Sequence, residues 1–302
     1  MPGQVGALYT CLGQPKVPPA FCAKQLDTYG YNKGFWEKFF DYVKNMLTFN
    51  FGWSYQSGAS VTSEMISSGR LANTLLLLGT STVFSIVIGT VIGIVISRKR
   101  GSTVDNFWVT TSLTTFSLPT FFMGILMIFV FAVALNWFPP GGNYPTGWDN
   151  PAVGRPPPLD QYLALIHYLF LPALTLTLFS YAGFLLLTRA TMQEALSEDY
   201  VLTARAKGLT ERAVLFKHAF KNASLPIITS SALAFGGILS GAIITETIFN
   251  WRGLGRWLFD AIGFKDFPVM QAMFFIIALT VIAANFVSDI LYGVVDPRIK
   301  YE

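Results

Sequence analysis

Asp199–Pro226 reads DYVLTARAKGLTERAVLFKHAFKNASLP, a stretch rich in alanine, arginine and lysine lying between two long apolar runs. Met192 to Lys207 carries few helix breakers and many strong helix formers, which predicts a helix continuing out of the preceding apolar run. Gly208 stands where a left-handed cap ends such a helix. Thr210 is placed to cap a second helix, with Glu211 in its first turn, where the helix dipole favours an anion. Pro226 disfavours helical geometry in the residue before it, so this second helix is expected to stop by Ser224 and the next apolar run to start at the proline. On the short helix Ala213, Leu215, Phe216, Ala219 and Phe220 are apolar and interleaved with Arg212, Lys217 and Lys221. Such a segment is too polar to span a bilayer and too apolar for water. It suits a groove on another protein or a surface of anionic lipid, and composition alone leaves both open.

Working outward, the 302 residues are 52% hydrophobic and only 13% charged, with a mean hydropathy of +0.49. A soluble domain carries about a quarter charged residues. Apolar runs of this length point to an all-α, polytopic transmembrane bundle. Five spans are expected, at Ala72–Ile96, Leu113–Phe138, Tyr162–Leu187, Ile227–Phe249 and Met270–Tyr292. Pro119 and Pro172 fall in or near spans, where neighbouring helices can satisfy freed carbonyls. Gly89 with Gly93, and Gly237 with Gly241, are small-xxx-small pairs that predict close helix packing. The net charge of +4 is small, and no basic face is interleaved with aromatics outside the membrane-flanking loops, so no nucleic-acid partner is expected.

Sidedness follows from short loops. Arg98-Lys99-Arg100 closes the first span and places that end in the cytoplasm. The 188–226 loop is then cytoplasmic too, as is the C-terminus with Arg298 and Lys300. The Pro/Gly-rich loop Pro139–Asp160 faces outside. Residues 1–71 read as an extracytoplasmic segment and residues 72–302 as a transmembrane domain with a cytoplasmic loop at 188–226. The tail has no apolar run able to carry it across, which predicts one further span upstream of Met1. Cys11 and Cys22 lie in this tail; a disulfide and two free thiols are both open. Trp36, Phe39 and Tyr42 stand at helical spacing there, either as a docking surface or as the core of a small cap.

The spans hold no ionisable residue at mid-depth. His167, Glu246 and Asp289 lie near span ends, where each can reach the interface or pair locally. That weakens ion-driven transport. No GxxxxGK[ST] phosphate loop and no HExxH pair occurs. The run GGILSG around Ser240 reads as glycine packing rather than a serine nucleophile.

The order Ala204, Gly208, Leu225-Pro226 resembles the EAA loop of ABC-type importer permeases. EDYVLTARAKGL (Glu198–Leu209) with HAFKNASLP (His218–Pro226) looks like the dipeptide/oligopeptide and nickel branch of that family. TETIFNWRGLGRW (Thr245–Trp257), SDILYGVVDPRIKY (Ser288–Tyr301), NFGWSY (Asn50–Tyr55) and NTLLL (Asn73–Leu77) extend the likeness over nearly the whole chain. Of the EAA triplet, at Leu202-Thr203-Ala204, the last alanine alone is kept. Arg252-Gly253-Leu254-Gly255 stands where the branch often has Pro-Gly-Leu-Gly. The branch also has a span ahead of a PGDP-like segment, in which Met1-Pro2-Gly3 begins.

The resemblance implies the type I permease fold of ABC importers, with five spans present and a first one missing. It implies that Thr210–Asn222 is a coupling helix seated in a cleft of a cytoplasmic ATPase. The coupling set would be Ala204, Arg205, Lys207, Gly208, Thr210, Glu211, Leu215, Phe216, Lys217 and Pro226. In it Gly208 sets the angle of the elbow, Ala204 permits close approach, the cations meet acidic residues, and Leu215 and Phe216 insert. The implied partners are a second, non-identical permease subunit, two cytoplasmic ABC ATPase subunits, an extracytoplasmic substrate-binding protein and the lipid bilayer. No cofactor is implied, and ATP hydrolysis falls to a separate subunit. The branch carries dipeptides, oligopeptides, nickel complexes and oligosaccharides, and no residue here chooses among them. The rival reading is a passive channel without an ATPase.

Overall fold

The computed structural model describes residues 33–149, 156–236 and 243–295. All the elements in them are helical. Helices α1 (Phe35–Leu47) and α2 (Val61–Ser67) precede the long α3 (Arg70–Ser97). Next come α4 (Thr103–Ser117) and α5 (Thr120–Met127), which loosens into π turns over Ile128–Ala134. The 39-residue α6 (Pro158–Leu196) leads to α7 (Asp199–Ala206). Helix α8 opens at Glu211–Ala213, widens into π turns over Val214–Ala219 and resumes α geometry over Phe220–Gly236. Helices α9 (Ile243–Ile248), α10 (Leu254–Phe264) and α11 (Phe267–Val295) complete the described chain.

The centre of the bundle is α3 against α6. Their axes approach closely because Gly89 and Gly93 bring bare backbone onto Tyr181, Phe184, Leu185 and Thr188, as the small-residue spacing predicts. Ser85 and Thr177 sit buried in the same seam, their hydroxyls returned to carbonyls one turn back on their own helices. Gly237 and Gly241 lie outside the described residues, as do Cys11 and Cys22 and the side chain of Asp289.

Helices α3, α6 and α11 are long and apolar enough to cross a membrane. The expected second span is different. It is broken at Leu118-Pro119, and α4 and α5 meet at 102°. The proline ring forces Leu118 out of the helical region, to φ −78° and ψ 134°. Pro172 has the opposite outcome: it stays inside α6, buried beside Leu171 and Ala173, where packing holds the helix through the missing N–H. The expected fourth span corresponds to α8 and α9, and its middle lies in the undescribed residues.

The loops sort into two ends. At one end Ile94 of α3 packs with Met192 and Ala195 of α6 and with Val201 and Val214 beyond it. Asp105 at the start of α4, fully buried, joins Arg189 of α6 through two hydrogen bonds of 2.6 and 2.7 Å. Ser102 caps α4 by accepting from the Asp105 N–H, and Asp105 in turn accepts from the Gly101 N–H. At the opposite end Trp251 is fully buried and its indole donates to the Asn73 carbonyl, while the Asn73 amide donates to the Arg252 carbonyl. The Arg252 N–H donates to Asn143 Oδ1 at 2.6 Å. A proline could not make that bond, so arginine at this position ties the turn to the 139–149 loop instead of stiffening it.

Candidate functional site

The elbow formed by α7 and the opening turns of α8 carries the sequence-expected coupling residues from Ala204 to Lys217, and Pro226 lies further along α8. Helix α6 does not run on to Lys207: it stops at Leu196, and Ser197 turns the chain, its hydroxyl donating to the Glu194 carbonyl at 2.7 Å. Such self-bonding is how serine competes with helix continuation. After α7, Gly208 takes φ +75°. Its N–H donates to the Arg205 carbonyl at 2.9 Å, and the Leu209 N–H reaches the Ala204 carbonyl at 3.4 Å. These two bonds form a Schellman cap. Thr210 then caps α8, its Oγ1 accepting from the Ala213 N–H. Arg205 closes the elbow from outside with a two-pronged ion pair to Glu211, at 3.0 and 3.4 Å. Both side chains are half exposed, so the pair contributes about 0–1 kcal/mol.

Beneath the elbow lies a core of Val201, Ala204, Val214, Leu215, Ala219 and Ala223 packed on the ends of α3 and α6. Leu215 therefore belongs to this chain's own interior. Phe216, its neighbour, points outward and is 51% exposed. Leu202 and Leu209 are also exposed, as are Arg205, Lys207, Arg212 and Lys217. Phe216 is thus an exposed apolar knob on a stretch that also exposes four cations. The exposure of Leu202 and Leu209 was not expected. A single exposed leucine is ordinary.

Pro226 does not end the second helix. Phe220 to Gly236 is one helix with Pro226 inside it. A proline in this position deletes a single hydrogen bond, to the carbonyl of Asn222. Asn222 lines a cleft of about 420 Å³ between α6 and α8, together with Glu194, Glu198, Tyr200 and Thr229 among others. The short helix and the next apolar run are thus one piece, and the joints of the elbow are Ser197 and Gly208.

Away from the elbow, Glu246 is fully buried and satisfied, accepting from the Thr74 hydroxyl at 2.7 Å and the Arg256 N–H at 3.0 Å. It pairs locally, as expected at a span end. His167 is exposed beside Phe138, with ring centroids 5.1 Å apart. Among the described residues no group of histidine, cysteine and carboxylate side chains is arranged to hold a metal ion.

The chain is 37% identical over 299 residues to the di/tripeptide transport system permease protein DppB of Pseudomonas aeruginosa, covering 96% of this chain and 88% of that one. It is 36% identical over 292 residues to the oligopeptide transport system permease protein AppB of Bacillus subtilis, covering 97% and 89%. It is 35% identical over 304 residues to the dipeptide transport system permease protein DppB of Escherichia coli, covering 96% and 88%. Among solved structures, a chain from the MetNI methionine ABC transporter in inward-facing conformations superposes with a TM-score of 0.59. It covers 77% of this chain and 96% of that one at 16% identity, which shows a shared fold. The model of the family described as binding-protein-dependent transport system inner membrane component matches residues 89–301. Its match takes in Gly89 and Gly93 of the α3–α6 seam, the elbow and the turn around Trp251, and the chain belongs to that family, as a permease subunit of the ABC importer class.

Proposed function

We propose that this permease subunit moves peptides, or a related small solute such as an oligosaccharide, from an extracytoplasmic binding protein into the cytoplasm, driven by partner ATPases through the elbow. The peptide assignment is supported by relatives named for dipeptide, di/tripeptide and oligopeptide transport. In this reading the elbow lies in the cytoplasm. Arg98-Lys99-Arg100 belongs to the same end of the α3–α6 pair as the elbow, so one cationic cluster orients both. Two ATPases close on ATP, the elbows of this chain and of a second, non-identical permease are driven together, and the pair alternates between inward- and outward-facing states.

The observation that carries the reading is the exposed Phe216, on a stretch that also exposes four cations, standing on a core that the chain itself completes. Phe216 enters the ATPase cleft; Arg205, Lys207, Arg212 and Lys217 meet acids at its edge. Leu215, Ala204 and Gly208 act indirectly, by holding the knob. The test is ligand-stimulated ATP hydrolysis in the reconstituted complex. Phe216→Glu is expected to insert normally and lose stimulation, while Phe216→Leu keeps most of it. Full stimulation with Phe216→Glu overturns the coupling assignment.

A further inference from the structure

Helix α1 offers an apolar face that the described residues cover only toward its C-terminal end, at Val43 and Met46. At 100° per residue Phe35, Trp36, Phe39, Phe40, Tyr42, Val43, Met46 and Leu47 fall within an arc of about 160°, and Glu37, Lys38, Asp41, Lys44 and Asn45 fill the opposite side. Met46 alone is buried, within the cluster that joins Phe51 and Val61 to α10 and α11. Trp36, Phe40 and Leu47 are each about two-thirds exposed. The aromatics touch one another edge to face.

Its depth can be read from α11. Just past the end of α1, the rings of Phe49 and Phe51 meet Phe275 at 6.1 and 6.0 Å. Phe275 lies about 12 Å along α11 from Phe267 at 1.5 Å per residue. Helix α11 has 29 residues and is about 43 Å long, some 13 Å more than a hydrocarbon core of about 30 Å. Centred on that core, it overhangs by roughly 6–7 Å at each end, so Phe275 sits about 5 Å inside the hydrocarbon boundary. Phe274 beside it is exposed and faces outward from the bundle. The apolar face of α1 therefore begins at the depth where interfacial helices bury theirs, next to a surface already turned to lipid.

We propose that α1 lies along the membrane interface at the Phe267 end of α11, its aromatic arc in the acyl boundary and its charged arc among headgroups. This assigns the aromatic face of the N-terminal segment to lipid and not to a soluble binding protein. Aromatic residues are the side chains that settle at this level, and a charged arc holding both signs, with Lys33 between Glu37 and Asp41, suits zwitterionic headgroups. The inference rests on the reading that α11 spans the bilayer, and the test separates the two.

The full chain, with Cys11 and Cys22 replaced by serine and purified with its partner subunits, is spin-labelled at one engineered cysteine at a time in phosphatidylethanolamine/phosphatidylglycerol vesicles. Collision with oxygen, which concentrates in lipid, is compared with collision with a water-soluble nickel reagent. Oxygen should dominate at Trp36→Cys and Phe40→Cys and nickel at Glu37→Cys and Asp41→Cys, with Phe274→Cys as the lipid reference. If both arcs favour nickel, or the aromatic arc is shielded from both reagents by protein, the proposal is overturned while the Phe274 label still reports lipid. If the Phe274 label reports water, the spanning of α11 falls and the proposal with it.

Discussion

Replacing Gly89 by alanine tests the seam on which the bundle is built. A Cβ at Gly89 would stand 2.5 Å from the Tyr181 carbonyl oxygen, 2.7 Å from Phe184 Cβ and 2.9 Å from the Leu185 nitrogen. Ordinary contacts are about 3.5 Å, so α3 and α6 must part by roughly 1 Å. Two of the three obstacles are backbone and cannot swing aside. A gap of that width forfeits about a quarter to a half of the dispersion energy along the seam, and overpacking of this kind costs about 1–3 kcal/mol. Alanine also gains about 0.5–1 kcal/mol over glycine as a helix former. Gly79→Ala, on the same helix, collects that gain with nothing within 4 Å of the new methyl. The difference between the two variants therefore isolates the clash. Thermal unfolding of the detergent-purified protein, followed by size exclusion, should put Gly89→Ala on the order of 5 °C below Gly79→Ala. Equal midpoints would show that the two helices do not meet through this glycine.

Gly208→Val should leave membrane insertion intact and lower ligand-stimulated ATP hydrolysis: its surroundings are open, so the cost is the left-handed backbone alone, about 1–2 kcal/mol. Gly208→Asn, which tolerates that conformation, should retain most of the stimulation. Asp105→Asn strips a buried carboxylate from Arg189 and should destabilise the protein by about 3 kcal/mol, the lower end for a broken buried pair because Arg189 is partly exposed. The double variant Asp105→Asn with Arg189→Met should melt above the single one, and additive losses would count against the pair. Pro226→Ala returns the missing N–H to the Asn222 carbonyl and should raise the midpoint; a lower midpoint would mean that the helix depends on the ring.

The parts of this molecule legible in the sequence are those set by local chemistry. Gly208 and Thr210 form the cap and counter-cap their positions imply, and the Gly89–Gly93 spacing meets a neighbouring helix. Pro172 stays inside its helix as its place in a span implied, but Pro119 and Pro226 were not legible, because a proline's effect depends on whether neighbours hold the helix through the missing bond: Pro226 stays inside a helix, and Leu118 before Pro119 does not. Which of Leu215 and Phe216 faces out was hidden for another reason. The π turns over Val214–Ala219 change the residue period, and the core beneath comes from α3 and α6, distant in sequence. Asp105 did leave a trace, since Ser102 followed three residues later by a carboxylate marks a helix start.

The 102° corner at Leu118-Pro119 has a consequence for what surrounds this chain. A helix that stops within a bilayer leaves its last carbonyls without intrahelical donors. The Ser117 hydroxyl donates to the Thr114 carbonyl and the Thr115 hydroxyl to that of Ser112, so the carbonyls of Thr115, Phe116 and Ser117 receive no donor from either. Hydrocarbon cannot solvate them, and irregular backbone at such depth persists only against protein or along a water-filled passage. Ser117 and Pro119 are open on this chain by itself. Where the bent pair crosses the bilayer as one span, the corner therefore marks a wall that lipid must not reach, closed by a neighbouring protein surface or facing a water-filled passage.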